Sequence, residues 1–185
     1  MIVLFLGKKG VGKTAAERKL VYRRLVERPK SMVFWNDPAC QIRGGTLFTS
    51  VAQARAHFRA VGAPRLSIFR GVDVNDLALL AREVHDVTLV LDEMDRACQG
   101  KRWIAEEVRH LVHEGRHERV DLFGTFRRTA NVSEDLLSGS DFVFLFRHSE
   151  AAPYDLRTIR ERFGEQYERA VKTLEPMRFV VWADQ

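Results

Sequence analysis

The chain has 185 residues, 45% of them hydrophobic and 30% charged, which is enough to bury a real core and argues against a disordered chain. Its 23 Arg and 7 Lys outnumber 14 Glu and 11 Asp, for a formal net charge of +5 spread along the chain; this suits contact with a polyanion without making a basic tail. Cys40 and Cys98 are far apart and lack metal-ligand spacing, which disfavours a disulfide scaffold or a zinc module, and the apolar runs Ile2–Leu6, Val87–Leu91 and Phe142–Phe146 are too short to span a bilayer. No signal peptide precedes the first of them, so a soluble protein is expected.

In chain order, Ile2–Leu6 reads as a strand buried on both faces. A glycine-rich turn follows, then a helix from Lys13 to about Arg28, with Ala16/Leu20 and Val21/Leu25 at i,i+4 spacing and Pro29 marking its end. Residues 31–35 form a second strand, closed by the turn signal Asn36-Asp37-Pro38. Ser50 is placed to cap a helix reaching about Val61. Leu66–Phe69 is a short strand, Asp73 caps a helix carrying Leu77, Leu80 and Val84, and Val87–Leu91 is the next strand. Residues 103–117 should be helical, 120–125 a strand, 133–137 a short helix and 141–147 a strand. Residues 155–173 read as helix interrupted at Gly164, and 177–182 as a closing strand. Strands separated by helices predict one α/β domain over residues 1–185, three-layered, with a mostly parallel central sheet.

Gly7-Lys8-Lys9-Gly10-Val11-Gly12-Lys13-Thr14 matches G-x-x-x-x-G-K-[ST] between a predicted strand and a predicted helix. The glycines let successive N–H groups point at phosphates, and the helix N-terminus adds its positive dipole end. Lys13 is assigned to the β- and γ-phosphates of ATP and the Thr14 hydroxyl to Mg2+. Lys8 could alternatively reach the nucleotide of a neighbouring subunit. Val87–Leu91 ends at Asp92 and Glu93; Asp92 is assigned to the metal and Glu93 to activating the attacking water. Such a pair favours hydrolysis over phosphoryl transfer. His110, His113 and His117 share one helix face, but with no matching motif a polar surface is the better reading than a metal site.

These residues resemble the FtsK/HerA superfamily of ring-forming DNA-pumping ATPases, and most of all the genome-packaging ATPases of tailless, membrane-containing icosahedral viruses. The resemblance rests on the P-loop, Asp92-Glu93, and the stretch from Gly115-Arg116-His117 to Thr125. It continues through Arg127-Arg128, Asn131-Val132-Ser133, Leu136-Leu137-Ser138 and the strand ending in Phe146-Arg147. It implies a RecA-like core of the additional-strand, catalytic-glutamate class, with strand 120–125 lying between the P-loop strand and Val87–Leu91. It implies ATP-driven packaging of double-stranded DNA by a homo-oligomer, with a hexameric ring expected and capsid or membrane-vertex proteins as further candidate partners. It implies an arginine acting in trans, Arg116 first and Arg147 second, since no cis arginine is evident near the phosphates. Phe126 stands where the family carries a γ-phosphate-sensing Gln, so Thr125 or Arg127 becomes the sensor candidate. Arg96, Lys101 and Arg102, with Trp103, are proposed as a DNA-facing loop. With the first strand at Ile2 and the last near Trp182, neither the barrel nor the anchor of cellular relatives is expected. Two other readings compete: a ParA/MinD-like partitioning ATPase, and an assembly ATPase resembling the zonula occludens toxin family of filamentous phage, for which a transmembrane helix is expected.

Overall fold

The computed structural model describes residues 1–96, 98 and 104–183. Its elements are β1 (Ile2–Leu6), α1 (Lys13–Glu27), β2 (Met32–Asn36), β3 (Thr46–Phe48), α2 (Val51–Val61), β4 (Leu66–Phe69), α3 (Val74–Val84) and β5 (Val87–Leu91). They continue with α4 (Glu106–Glu114), β6 (Val120–Phe126), α5 (Glu134–Ser138), β7 (Phe142–Phe146), α6 (Pro153–Phe163), α7 (Glu165–Thr173) and β8 (Phe179–Ala183). Among the described residues the strands form one sheet in the order β3-β4-β2-β5-β6-β1-β7-β8. Every neighbouring pair is parallel except β7 with β8.

β6 separates β1 from β5, as the resemblance implies: Leu4 is in register with Gly124 on one side and Leu91 with Gly124 on the other. β1, β5 and most of β6 are buried on both faces, which is why their sequences are unbroken apolar runs rather than alternating ones. One face is covered by α1, whose Ala16, Leu20 and Val21 meet Val3, Phe5, Trp35 and Val90. The other face carries the remaining long helices through residues such as Ala54, Leu77, Val108, Ile159 and Val171. Burying each of the Val, Leu and Ile side chains among them contributes roughly 1.5–3 kcal/mol. Phe123, Phe5, Phe144 and Phe179 stand side by side across four strands, with successive ring centroids 6.2, 5.1 and 5.1 Å apart.

Ser50 and Asp73 cap α2 and α3 as expected, through bonds from Gln53 N and Asn75 N. Gly164, at φ 103°, divides α6 from α7. Of the expected helix over residues 103–117 the described part is Glu106–Glu114, preceded by the Cys98–Ile104 bridge and followed by turns from Gly115 into β6, and residue 103 lies outside the described residues; the expected strand from Met177 begins only at Phe179. β3 was not anticipated: three residues behind Gly44-Gly45 carry too little periodicity to read. No helix among the described residues is long and apolar enough to cross a membrane.

Candidate nucleotide site

The P-loop, the end of β5 and the end of β6 converge at the carboxyl ends of the parallel strands, where open α/β sheets bind ligands. They line a cavity of about 360 Å3 that takes in Lys13, Thr14, Asp92, Glu93, Thr125 and Arg127. Two P-loop glycines are fixed by geometry. A Cβ on Gly7 would lie 2.8 Å from Phe146 Cβ, and Gly12, at φ 101°, backs onto the Met177 side chain. Met177, whose N–H donates to Val11 O at 3.0 Å, thereby closes one wall of the cavity.

Lys13 is nearly buried and donates to Gly7 O at 2.7 Å and Lys8 O at 2.9 Å. Burial lowers the pKa of its ammonium, against the opposing pull of Asp92. Asp92 is buried too, and burial raises its pKa. Hydrogen bonds from the Thr125 hydroxyl, at 2.6 Å, and from Glu93 N, at 3.1 Å, act in the opposite sense. Lys13 and Asp92 are thus charged groups held where water is scarce, which strengthens their interaction with any polar ligand admitted between them. Thr14 and Asp92 bring hard oxygen donors to one cavity, the ligand type that Mg2+ requires.

Glu93 has a left-handed backbone, φ 58°, a conformation costly for a side chain other than glycine and concentrated at functional sites. That turn aims Glu93 N at Thr125 Oγ1, 2.9 Å away. The Arg127 guanidinium pairs with the Glu93 carboxylate. This corrects the expectation that no cis arginine lies near the phosphate end. Arg127 is itself fixed by its N–H to Asp95 Oδ2, 2.8 Å, in the turn after β5. The following turn is anchored by Asn131 Nδ2 to Asp95 Oδ1, Ala130 N to buried Asp155, and Thr129 Oγ1 to buried His148. His148 Nδ1 lies 2.8 Å from Phe146 O, which only accepts, so Nδ1 carries the proton and Nε2 accepts from Thr129.

Of the two sensor candidates, Thr125 bridges Asp92 and Glu93 while Arg127 holds the Glu93 carboxylate. Phe126 is fully buried in the core cluster with Leu4 and Leu6, so position 126 offers the cavity no side chain. Arg147 is exposed beside the P-loop, its carbonyl accepting from Lys8 N at 3.4 Å. Arg116 belongs to the opposite rim, at the amino ends of the strands, where it is 75% exposed and pairs with Asp141 at 2.5 Å. Lys101, Arg102 and the Arg96 side chain lie outside the described residues. Cys98 is buried in a bridge with Ile104 rather than lying in an open loop, and burial pushes its thiol up to about 12.

Sequence reasoning missed Glu17, one helical turn after Lys13. It is fully buried, and neither carboxylate oxygen has a hydrogen-bond partner. Burial, and secondarily Asp92, raise its pKa well above the ordinary value. The folded protein therefore binds this proton more tightly than the unfolded chain does. The corresponding stability is complete below the unfolded carboxyl's pKa of about 4.3 and is lost as pH rises from there towards the folded value. Glu17→Gln should remove that loss: thermal melts from pH 5 to pH 8 should show the variant gaining stability relative to wild type as pH rises. A difference independent of pH would show that Glu17 does not titrate with folding.

The strand order and this cavity define a P-loop NTPase fold of the additional-strand type. No protein-family model and no curated protein matches the chain. Solved structures do. The genome-packaging NTPase B204 of Sulfolobus turreted icosahedral virus 2, in complex with ATPγS, superposes with a TM-score of 0.82 at 18% identity, covering 98% of this chain and 91% of that one. B204 from Sulfolobus turreted icosahedral virus, described as a DNA-packaging ATPase, gives 0.74 at 16% identity, covering 98% and 91%. The chain has the fold of these packaging NTPases.

Proposed function

We propose that the protein is an ATPase that drives double-stranded DNA into a viral capsid, working as a ring of identical subunits. The observation that carries the hydrolytic part is the placement of Glu93, directly after Asp92, in one cavity with Lys13 and Thr14. The DNA-packaging part is supported by likeness in fold to genome-packaging NTPases, one of them solved with ATPγS. A β6 inserted between β1 and β5 also differs from the kinase-like order, in which the P-loop strand pairs directly with the Asp92 strand. The alternatives, a partitioning ATPase or a filamentous-phage-type assembly ATPase, gain no such support.

In this reading the P-loop amides receive the triphosphate, and Lys13 exchanges two carbonyl acceptors for more strongly charged phosphate oxygens. Thr14 and Asp92 would hold Mg2+, which neutralises phosphate charge when bound. Glu93 takes the proton of the attacking water as its oxygen bonds to the γ-phosphorus. The bond from that phosphorus to the bridging oxygen breaks, and its electron pair leaves with ADP. Arg127 fixes the Glu93 carboxylate and Thr125 fixes the Glu93 amide, so the base meets the water with little freedom left to lose. Arg116 and Arg147 are both exposed and so available to a neighbouring subunit. The experiment is whether ATP hydrolysis is coupled to movement along linear duplex DNA; hydrolysis indifferent to DNA would favour the partitioning reading.

A further inference from the structure

The cavity receives a polar side chain from outside the P-loop, the Asp92-Glu93 pair and the β6 segment. Gln41 lines it from the β2 side of Asp92, opposite Thr125 and Arg127, which enter from β6. Its backbone is held on both sides. Asp37, fully buried at the end of β2, accepts from Gln41 N at 2.8 Å and from Ile42 N at 3.0 Å. Arg70 clamps the same loop, reaching Asp37 Oδ2 at 3.1 Å and Ile42 O at 3.2 Å, and the Ile42 side chain is buried in the core beneath α1. Arg18 on α1 approaches Gln41 O at 3.4 Å. The Gln41 carboxamide itself is exposed and makes no hydrogen bond among the described residues, so both its N–H donors and its carbonyl remain available to a ligand. Ties to a buried carboxylate, the core and α1 hold the backbone from which Gln41 presents its carboxamide at the cavity mouth.

We infer that Gln41 is a catalytic residue of this site, donating to the terminal phosphate and accepting from the attacking water, and so occupying the role left open by Phe126. The inference rests on the hydrolase reading above. The two flanks then divide the work: Thr125 and Arg127 hold the base, while Gln41 holds the phosphate and water that the base acts upon. A carboxamide suits this because it can donate to phosphate oxygen and accept from water at once, without a charge that would repel the triphosphate.

The test compares wild type with Gln41→Ala, Gln41→Glu and Glu93→Gln, using Cys40→Ala, an exposed neighbour, as the control. Three quantities are read: the Kd for ATPγS, turnover at saturating ATP, and affinity for ADP with tetrafluoroaluminate. Gln41→Ala should leave ATPγS binding within about threefold while turnover falls on the order of 10²-fold, the usual loss for one transition-state donor. Tetrafluoroaluminate affinity should fall in step with turnover, a readout that mere loop loosening would not single out. Gln41→Glu should be worse, since its charge faces the phosphate. Wild-type turnover in Gln41→Ala alongside an inactive Glu93→Gln would overturn the Gln41 role alone, and so would equal losses of ATPγS and tetrafluoroaluminate binding. No ATP turnover in wild type would instead overturn the hydrolase reading on which the role depends, and a fully active Glu93→Gln would remove only Glu93 as the base.

Discussion

Lys13→Ala is expected to abolish nucleotide binding, whereas Glu93→Gln should bind ATP as wild type does and lose hydrolysis by about 10²–10⁴-fold, the range ascribed to a positioned general base. The asymmetry follows from where each group acts. Lys13 opposes phosphate charge already present in the ground state, and it is the buried cation of the P-loop; without it the P-loop amides face a highly charged ligand alone. Glu93 acts on water only as the proton moves, so replacing its carboxylate with an amide of similar shape affects the chemical step. The amide also weakens the ion pair with Arg127, but the Glu93 backbone stays tied to Thr125 and Asp92, so the turn itself should hold. Equilibrium binding of a fluorescent ATP analogue beside steady-state phosphate release separates the two. Equal loss of binding in both variants would remove Glu93 from its catalytic role.

The second large effect concerns an arginine from a neighbouring subunit. Arginine fingers account for roughly 10³–10⁵ in rate. Arg127 in cis is committed to Glu93, which leaves the stabilisation of charge on the transferring phosphate to another donor. Arg116 is the first candidate. Its pair with Asp141 is exposed, and such pairs contribute about 0–1 kcal/mol, so a better anion on an adjoining subunit could draw it away. Arg147, exposed beside the P-loop, is the second. Arg116→Ala should therefore bind nucleotide normally and lose turnover on the order of 10³-fold. Mixing it with Lys13→Ala should restore part of the activity, because one hybrid interface keeps an intact P-loop facing an intact arginine. Recovery with Arg147→Ala in its place would move the role to Arg147. No recovery with either would exclude a shared site.

The phosphate-binding part of the site was legible in the sequence because its signal is local: strand, eight-residue loop and helix are consecutive, and each residue's chemistry depends on its neighbours in the chain. The place of β6 was legible through the resemblance to packaging ATPases. Contacts between distant residues were not. Arg127 meets Glu93 across 34 positions, and only the register of β5 against β6 brings them together. Asp37 read as part of an ordinary turn, since nothing local distinguishes an exposed Asn-Asp-Pro turn from one whose aspartate is buried and clamped by Arg70. Glu17 sits in a charged stretch of α1 and is buried because it shares one helix face, at i,i+4 spacing, with buried Lys13 and Val21. The fate of Phe126 was partly readable: side chains alternate along a strand, so Thr125 and Arg127 share one side and Phe126 takes the other. The aromatic at that position then marks the core rather than a degraded sensor.

The central claim, that hydrolysis at this site moves duplex DNA, is tested most directly by displacement of a triplex-forming oligonucleotide from linear duplex DNA. The wild-type chain should release the third strand only with ATP, with turnover rising when duplex is added, and the Glu93→Gln chain should bind ATP and release nothing. ATP turnover that is unchanged by duplex DNA, with the third strand left in place, would contradict the account.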